Sequence, residues 1–192
     1  VSLKHLRELL DDSVALVTIT YIPTNGGLVN PAAAIGSLVR ECAPRAYYLL
    51  DACQAAGQVP LDVRTLQCDF MSATGRKYLR GPRGTGFLYV SKRVLDNGLE
   101  PYCLLDVRSA KVVAPLEYSV QPSAKRFECW ESNFAAKLGL TTAIEYALAL
   151  GSDNIWARIV ELATRFREQL RAIPGVVVHD LGTDQCGIVS FA

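Results

Sequence analysis

The chain has 192 residues, half of them hydrophobic and a fifth charged, which is the composition of an ordinary globular protein with a sizeable core. Its formal net charge of +1 argues against a dedicated nucleic-acid-binding domain, because such domains usually carry a clear excess of Lys and Arg. No apolar run reaches the roughly 18 residues that a membrane-spanning helix needs, so we expect no membrane association.

The cysteines and histidines give no sign of a metal centre or a disulfide framework. The six cysteines form no CxxC pair, and the two histidines, His5 and His179, are far apart in sequence. We therefore expect no bound metal, reduced cysteines that mostly belong to the core, and a cytoplasmic protein. The chain starts at Val1 without a methionine and stops within an apolar run, so we expect a fragment of a longer chain.

The first half of the chain predicts alternating strands and helices. Two apolar runs rich in branched residues indicate buried parallel strands, residues 14–20 and 46–52. Between them, Asn30 and Pro31 have the N-cap and first-turn pattern of a helix that reaches Cys42. The spacing therefore predicts a strand–helix–strand crossover in a parallel or mixed sheet.

Helical periodicity marks three further stretches, residues 2–10, 134–150 and 155–173. Asn133 can cap the start of the second of these helices, and Gly151 can end it. The third carries one apolar stripe, and we expect its polar face to be solvated.

The remaining stretches suggest where the chain divides. Residues 91–125 contain three prolines and are expected to be irregular, whereas 176–179 and 187–191 have the pattern of strands. We therefore predict three parts: a partial large domain (1–100), a connecting segment (101–132) and a partial small domain (133–192).

The stretch around Lys77 has the most distinctive pattern. Apolar residues around Phe70 predict a strand running in, residues 86–90 predict one running out, and glycine-rich turns lie between them. Lys77 follows the first strand, where a side chain is held rigidly and yet is accessible. Thr74 and Arg76 alternate before it, which places a hydroxyl and a guanidinium on one side to grip a phosphate.

Three polar residues lie at or after the ends of predicted strands: Thr24, Asp51 and Lys77. Ligands bind parallel sheets just beyond the carboxyl ends of the strands, so we expect the three side chains to converge on one pocket.

Two segments of the chain resemble the class V aminotransferase superfamily, the fold-type I pyridoxal 5'-phosphate (PLP) enzymes that include cysteine desulfurases. One is Ser72-Ala-Thr-Gly-Arg-Lys77, followed by Gly81-Pro-Arg-Gly84-Thr-Gly86, which looks like the family's cofactor-lysine segment. The other is Leu49-Leu-Asp51-Ala-Cys-Gln54-Ala-Ala-Gly57, which matches the family's aspartate-alanine-x-glutamine segment. The resemblance covers essentially the whole chain, which corresponds to about the middle half of a family member.

The resemblance implies an α/β, PLP-dependent transferase-like fold of type I. The chain would contain the large-domain sheet, incomplete at its N-terminus, followed by part of a small α+β C-terminal domain. The resemblance also implies roles for site residues. Lys77 would form a Schiff base with PLP and later serve as general base, and Asp51 would keep the pyridine nitrogen protonated so that the ring accepts electrons.

Four further cofactor contacts are implied, to the phenolic oxygen and the phosphate: Gln54, Thr24, Thr74 and Arg76. Arg76 replaces the family's usual histidine, which keeps a phosphate donor and adds a permanent charge.

The segment Arg126–Asn133 resembles the family segment that crosses the dimer interface, which implies a homodimer. The family's glycine-threonine pair is absent here, and Cys129 and Trp130 stand roughly in its place. A degenerate homologue that serves only as a dimer subunit is therefore an alternative.

Together, these features favour a PLP-dependent enzyme that acts on amino acids, either a C–S lyase or a cysteine desulfurase-like lyase. A class V aminotransferase or an epimerase is the alternative chemistry. An alternative of another class is a non-catalytic phosphate- or RNA-binding module that uses the cationic run Arg76, Lys77, Arg80 and Arg83. The near-neutral overall charge, and the lack of any role for Asp51 in such a module, argue against it.

Overall fold

The centre of the fold is a four-stranded mixed sheet. The computed structural model describes residues 1–192, apart from the side chain at position 104. Along the sheet the strand order is β1 (Leu16–Thr20), β2 (Tyr47–Asp51), β3 (Phe70–Thr74) and β4 (Gly86–Val90). The first three strands are parallel to one another, and β4 runs antiparallel to β3. The predicted mixed sheet and the strands on either side of Lys77 are thus confirmed.

Six helices and a hairpin complete the regular structure of the described residues. The helices are α1 (Leu3–Leu9), α2 (Ala32–Cys42), α3 (Val63–Leu66), α4 (Lys92–Asp96), α5 (Phe134–Leu150) and α6 (Ser152–Arg171). The hairpin consists of β5 (Ala110–Ala114) and β6 (Glu117–Val120). Short 3₁₀ turns lie at Tyr102–Leu104 and Ala124–Phe127.

The main core lies between the sheet and α2. Tyr48 and Leu50 of β2 are fully buried, as are Ile35 and Val39, which lie four residues apart on one face of α2. The parallel strands are therefore apolar because α2 covers them, as their branched, continuous apolar pattern predicts.

Helix α5 packs against the loop that follows β3. Its Leu140 and Ile144 pack in a small cluster with Ala56, Ala73 and Leu79. The Asn133 side chain accepts a hydrogen bond of 2.9 Å from the amide of residue 136, and Gly151 ends the helix at a φ of 85°. Both predicted caps of this helix are confirmed.

Three predictions of secondary structure are wrong. Residues 91–125 are not irregular, because they contain α4 and the β5–β6 hairpin. Residues 176–179 and 187–191 do not form strands but meet at a single bridge, Val178 with Phe191. The last helix begins at Ser152 rather than at residue 155, because Gly151 separates it directly from α5.

Asn30 does not cap α2. Its side-chain amide donates to the carbonyl of Thr20 (2.8 Å), and its side-chain oxygen accepts from the Val1 amino group (2.8 Å). Pro31 occupies the N-cap position instead, without a side-chain bond. Asn30 thus stabilises the end of β1 through its bond to Thr20 and does not cap the helix.

The cysteines are more exposed than predicted. All six are free thiols, and Cys68 and Cys186 are buried, whereas Cys103 and Cys129 are exposed.

Among the described residues, no group of three or more His, Cys, Asp or Glu side chains is arranged to hold a metal ion. In the same part of the chain, no helix is both long and apolar enough to cross a membrane.

Candidate active site

The carboxyl ends of the three parallel strands lie side by side. Thr20 is in register with Asp51, and Asp51 is in register with Ser72. Beyond the strands, the amide of Tyr21 donates to the carbonyl of Asp51 (2.9 Å), and the amide of Ala52 donates to the carbonyl of Ser72 (2.8 Å). The three loops that leave these strands therefore start at one edge of the sheet, where parallel sheets bind ligands.

Asp51 and Lys77 lie close to a shared neighbour, Cys53. The Asp51 carboxylate accepts a bond of 2.9 Å from the Cys53 amide, which turns the chain after β2. Burial raises the pKa of the Cys53 thiol, and its bond to Asp51 raises it further, while the charge of Lys77 and the backbone of Thr74 act in the opposite direction. The Cys53 thiol is therefore influenced by charged and polar groups on the loops after both β2 and β3.

The loop that carries Lys77 is closed by backbone hydrogen bonds. Gly75 donates to the carbonyl of Thr85, Gly81 donates to that of Gly75, and Arg80 donates to that of Lys77, all at 2.8 to 2.9 Å. Lys77 itself is half-buried. Its amino group is thus presented from a rigid loop at the end of a strand, as the sequence predicts.

A cleft of about 670 Å³ opens beside this loop. Gln54, Lys77 and Arg80 line one side of it, and Asn154 and Arg158 of α6 line the other. The Arg80 guanidinium also lies over the ring of Tyr146, 5.1 Å from its centre. The structure therefore brings Gln54 and Lys77 to one cavity, with further cations at its margin.

The other predicted contacts are placed less closely. The Thr74 side chain is half-buried, with its hydroxyl 3.5 Å from the carbonyl of Thr85, whereas Arg76 and Thr24 are exposed. Among the described residues, no side-chain hydrogen bond or ion pair joins Thr24 or Arg76 to Lys77 or Asp51, so their roles stay predictions.

Sequence reasoning missed two residues that shape this region. Cys53 lies inside the Asp51–Gln54 motif, so its position was the available signal. Gly57 ends the same matched segment, but no role was predicted for it; it has a φ of 91° and packs against the backbone of Tyr78.

Comparison with known proteins identifies the family. The sequence profile described as Aminotransferase class-V matches residues 1–192. The chain belongs to this family.

Its curated relatives are named as cysteine desulfurases. A probable cysteine desulfurase of Synechocystis sp. is 33% identical over 192 residues, covering 98% of this chain and 44% of the relative. The cysteine desulfurase of Escherichia coli O127:H6 is 31% identical over 189 residues, covering 98% of this chain and 45% of the relative. The class V chain described here thus spans less than half the length of these relatives.

Solved structures show the same fold. A mutant of C-DES with glycine covalently linked to its PLP cofactor matches with a TM-score of 0.85 at 26% identity, over 99% of this chain and 50% of that one. The cystine C–S lyase C-DES in complex with its reaction product cysteine persulfide matches with a TM-score of 0.85 at 27% identity, over 98% of this chain and 50% of that one. The predicted α/β fold of the PLP-dependent transferases is therefore confirmed.

Proposed function

We propose that the complete protein is a PLP-dependent enzyme that cleaves a carbon–sulfur bond of cysteine or a related amino acid, as a C–S lyase or cysteine desulfurase. The observation that carries the proposal is that Asp51 and the loop of Lys77 lie at the same edge of the sheet, at the ends of two adjacent parallel strands, where Gln54 and Lys77 line one cleft. Membership of the class V family and the names of the curated relatives support the same chemistry.

The donor set at this edge of the sheet fits PLP. The amine of Lys77 can bond to an aldehyde, the carboxylate of Asp51 can pair with a pyridinium N–H, and the Gln54 amide can donate to a phenolic oxygen. The Thr74 hydroxyl and the Arg76 guanidinium suit a phosphate, and Thr24 offers a further hydroxyl. These residues together supply one partner for each polar group of the cofactor.

PLP, when bound, would draw electrons away from the α-carbon of the substrate. Lys77 would hold the cofactor covalently and, once displaced by substrate, its amine would take and return the proton of that carbon. Asp51 would face the ring nitrogen, and the hydrogen bond of 2.9 Å that its carboxylate accepts from the Cys53 amide would hold it in that position.

We also propose the arrangement of the complete protein. Trp130 is 58% exposed and Cys129 is exposed in the segment that resembles the family's interface crossing, which supports a homodimer. Six free thiols support a reducing, cytoplasmic location. Residues 1–100, 101–132 and 133–192 would be parts of a large domain, a connection and a small domain.

The cofactor site is tested by adding PLP to the complete protein, reducing the imine with borohydride, and mapping the labelled peptide. We expect one pyridoxyl label on Lys77 and none in Lys77→Ala. A matched control is Lys92→Ala, which removes an exposed lysine paired with Asp96 and should leave labelling unchanged. If Lys77 of the intact protein carries no pyridoxyl label, the proposal is overturned in favour of a phosphate-binding module or a degenerate subunit.

The reaction is tested by incubating the complete protein, loaded with PLP, with cysteine and with cystine and then identifying the products. Sulfane sulfur or sulfide together with alanine or pyruvate is the result that we expect. Transfer of the amino group to a keto acid, or racemised amino acid alone, would instead establish the aminotransferase or epimerase alternative.

A further inference from the structure

A buried ion pair joins the last helix to the C-terminal segment that follows it. The side chains of Arg167 and Asp180 are 3% and 0% exposed, and the Arg167 Nε donates to the Asp180 Oδ2 at 2.7 Å. The Arg167 Nη2 also donates to the carbonyls of Cys186 (2.8 Å) and Ile188 (2.6 Å). The guanidinium is thereby bonded on both sides, as a buried charge requires.

The second oxygen of Asp180 bonds two backbone amides. Its Oδ1 accepts from Gly27 (2.9 Å) and from Ser190 (2.9 Å), residues that lie far apart in sequence. Although burial opposes ionisation, the bonds from Arg167, Ser190 and Gly27 hold the pKa of the Asp180 carboxyl below its usual value. The carboxylate is thus a charged link between the loop after β1 and the C-terminal segment.

The loop after β1 is held to the same segment by backbone bonds as well. The amide of Cys186 donates to the carbonyl of Gly27 (2.8 Å), and the amide of Val29 donates to the carbonyl of Asp184 (3.0 Å). A side chain on Gly27 would collide with the Arg167 guanidinium and lie 2.8 Å from the carbonyl of Ile188. Position 27 therefore has room only for glycine, which lets the loop approach the ion pair.

A parallel connection reaches the loop after β2. Gln58 is 1% exposed; its Oε1 accepts from the amide of Gly187 (3.0 Å), and its Nε2 donates to the carbonyl of Gln54 (2.6 Å). The C-terminal segment therefore bonds the backbone of the loop that holds Thr24 directly and, through the Gln58 side chain, is linked to the backbone of Gln54.

We propose that Asp180, oriented by Arg167, is a positioning residue that fixes the turn from Thr24 to Gly27 at the edge of the cofactor site. The inference rests on the proposed function, because it assigns the turn to that site. A buried ion pair contributes little net stability compared with apolar residues of the same size, but its directional bonds fix geometry. Arg167 supplies three such bonds and Asp180 accepts three.

The test compares Asp180→Asn with Asp69→Asn in the complete protein. Asp69 is a matched control because it is also a buried carboxylate paired with arginine, but it lies before β3, at the opposite end of that strand from the loop of Lys77. In D180N the new side-chain NH₂ either faces the Arg167 Nε, donor against donor, or replaces the oxygen that holds Gly27. Amide exchange of residues 23–29 without PLP, referenced to α5 amides of the same sample, reports the turn directly.

For D180N we expect amide exchange in 23–29 to be faster by at least about tenfold relative to α5, and the PLP dissociation constant to rise by a similar factor. For D69N both ratios should stay near wild type. If D180N does not fold, Arg167→Lys takes its place with the same expectations, because lysine keeps the charge but lacks the planar fork with which the Arg167 Nε bonds Asp180 while its Nη2 bonds two carbonyls.

Two results would overturn the proposal: exchange in 23–29 that rises no more than in D69N, or wild-type PLP affinity in a D180N protein that binds the cofactor. Failure of the proposed function has a different signature, namely a wild-type protein that takes up no PLP at all. Because amide exchange is measured without PLP, it reports the mobility of the turn whether or not the protein binds the cofactor.

Discussion

At the scale of single residues, Gly57 illustrates how the chain brings Lys77 to its place. Gly57 has a φ of 91°, a region that side chains rarely adopt, and a methyl group there would collide with the backbone of Tyr78 and lie 2.6 Å from the nitrogen of Leu79. The loop after β2 therefore packs backbone to backbone against the residue that follows Lys77. The glycine sets the distance between the loops of Asp51 and Lys77.

We expect Gly57→Ala to be more damaging than Gly84→Ala. Gly84 has a similar φ of 77° but no atom within 4 Å of an added methyl group, so G84A reports conformational strain alone, about 1 kcal/mol. G57A adds the collision with Tyr78, which costs roughly a further 1–3 kcal/mol and displaces the Lys77 loop. Denaturant unfolding measures the first effect, and the yield of pyridoxyl-Lys77 measures the second.

Equal losses of unfolding free energy in G57A and G84A would contradict this view of the packing. Unchanged labelling of Lys77 in a destabilised G57A protein would show that the loop does not depend on the contact.

The residues of the candidate site differ in how well the sequence could predict them. The positions of Asp51 and Lys77 were predictable because Asp51 ends one strongly apolar strand and Lys77 comes shortly after another, while their roles at the cofactor stay predictions. Arg167 was not, because it lies on what the periodicity of α6 marks as the solvated face, and yet it is 2% exposed. Its partner is Asp180, which lies beyond the end of α6, so the periodicity of the helix alone gives no sign of the pairing.

At the scale of elements, one carboxylate joins two helices to the sheet. Asp69, 2% exposed, accepts bonds from Arg40 of α2 (2.6 Å), from Arg93 of α4 (3.0 Å) and from the amide of Tyr48 in β2 (2.8 Å). Arg93 also lies over the ring of Tyr47, 4.9 Å from its centre. The start of β3 is therefore fixed electrostatically, while its far end carries the site.

We expect Asp69→Asn to lower the free energy of unfolding by roughly 3 kcal/mol, because it leaves two arginines without their buried counter-charge. Glu41→Gln is the comparison: it breaks the exposed pair with Arg7 and should have little effect. Urea unfolding of the three proteins checks the order. A D69N protein as stable as E41Q would mean that water replaces the lost partner.

The boundaries of α5 were predicted well because capping chemistry marks both of its ends, whereas the expected cap of α2, Asn30, bonds Thr20 instead. Asn133 and Gly151 bound α5 because a side-chain acceptor and a residue of positive φ are local requirements of a helix. The β5–β6 hairpin was missed because its strands have five and four residues, lie mostly exposed and show little of the alternation that marks a half-buried strand. The two apolar segments near the end of the chain do pair with each other, but only over the bridge between Val178 and Phe191 and the three backbone hydrogen bonds around it, which is too short to form strands.

At the scale of the whole molecule, the part after residue 132 is held to the first hundred residues at several points. Leu140 packs with Ala56 and Leu79, and the Asp180 and Gly187 bonds reach the loops after β1 and β2. These contacts bury apolar and charged groups together. Residues 133–192 should therefore stay bound to residues 1–100 even where the connection between them is cut.

Limited proteolysis of the complete protein tests this expectation. Leu116 is fully exposed at the tip of the β5–β6 hairpin with a φ of 64°, and Val112 beside it is 84% exposed, so we expect thermolysin to cut first within residues 110–120. The two products should elute together in size-exclusion chromatography under native conditions and should elute separately in denaturant. In D180N the same cut should release the carboxyl-terminal product more readily, because the link to Gly27 is weakened. A first cut within the loops of Asp51 or Lys77 would contradict the rigidity assigned to the site. Products that separate already under native conditions would show that the connecting segment, and not the buried contacts, holds the two parts together.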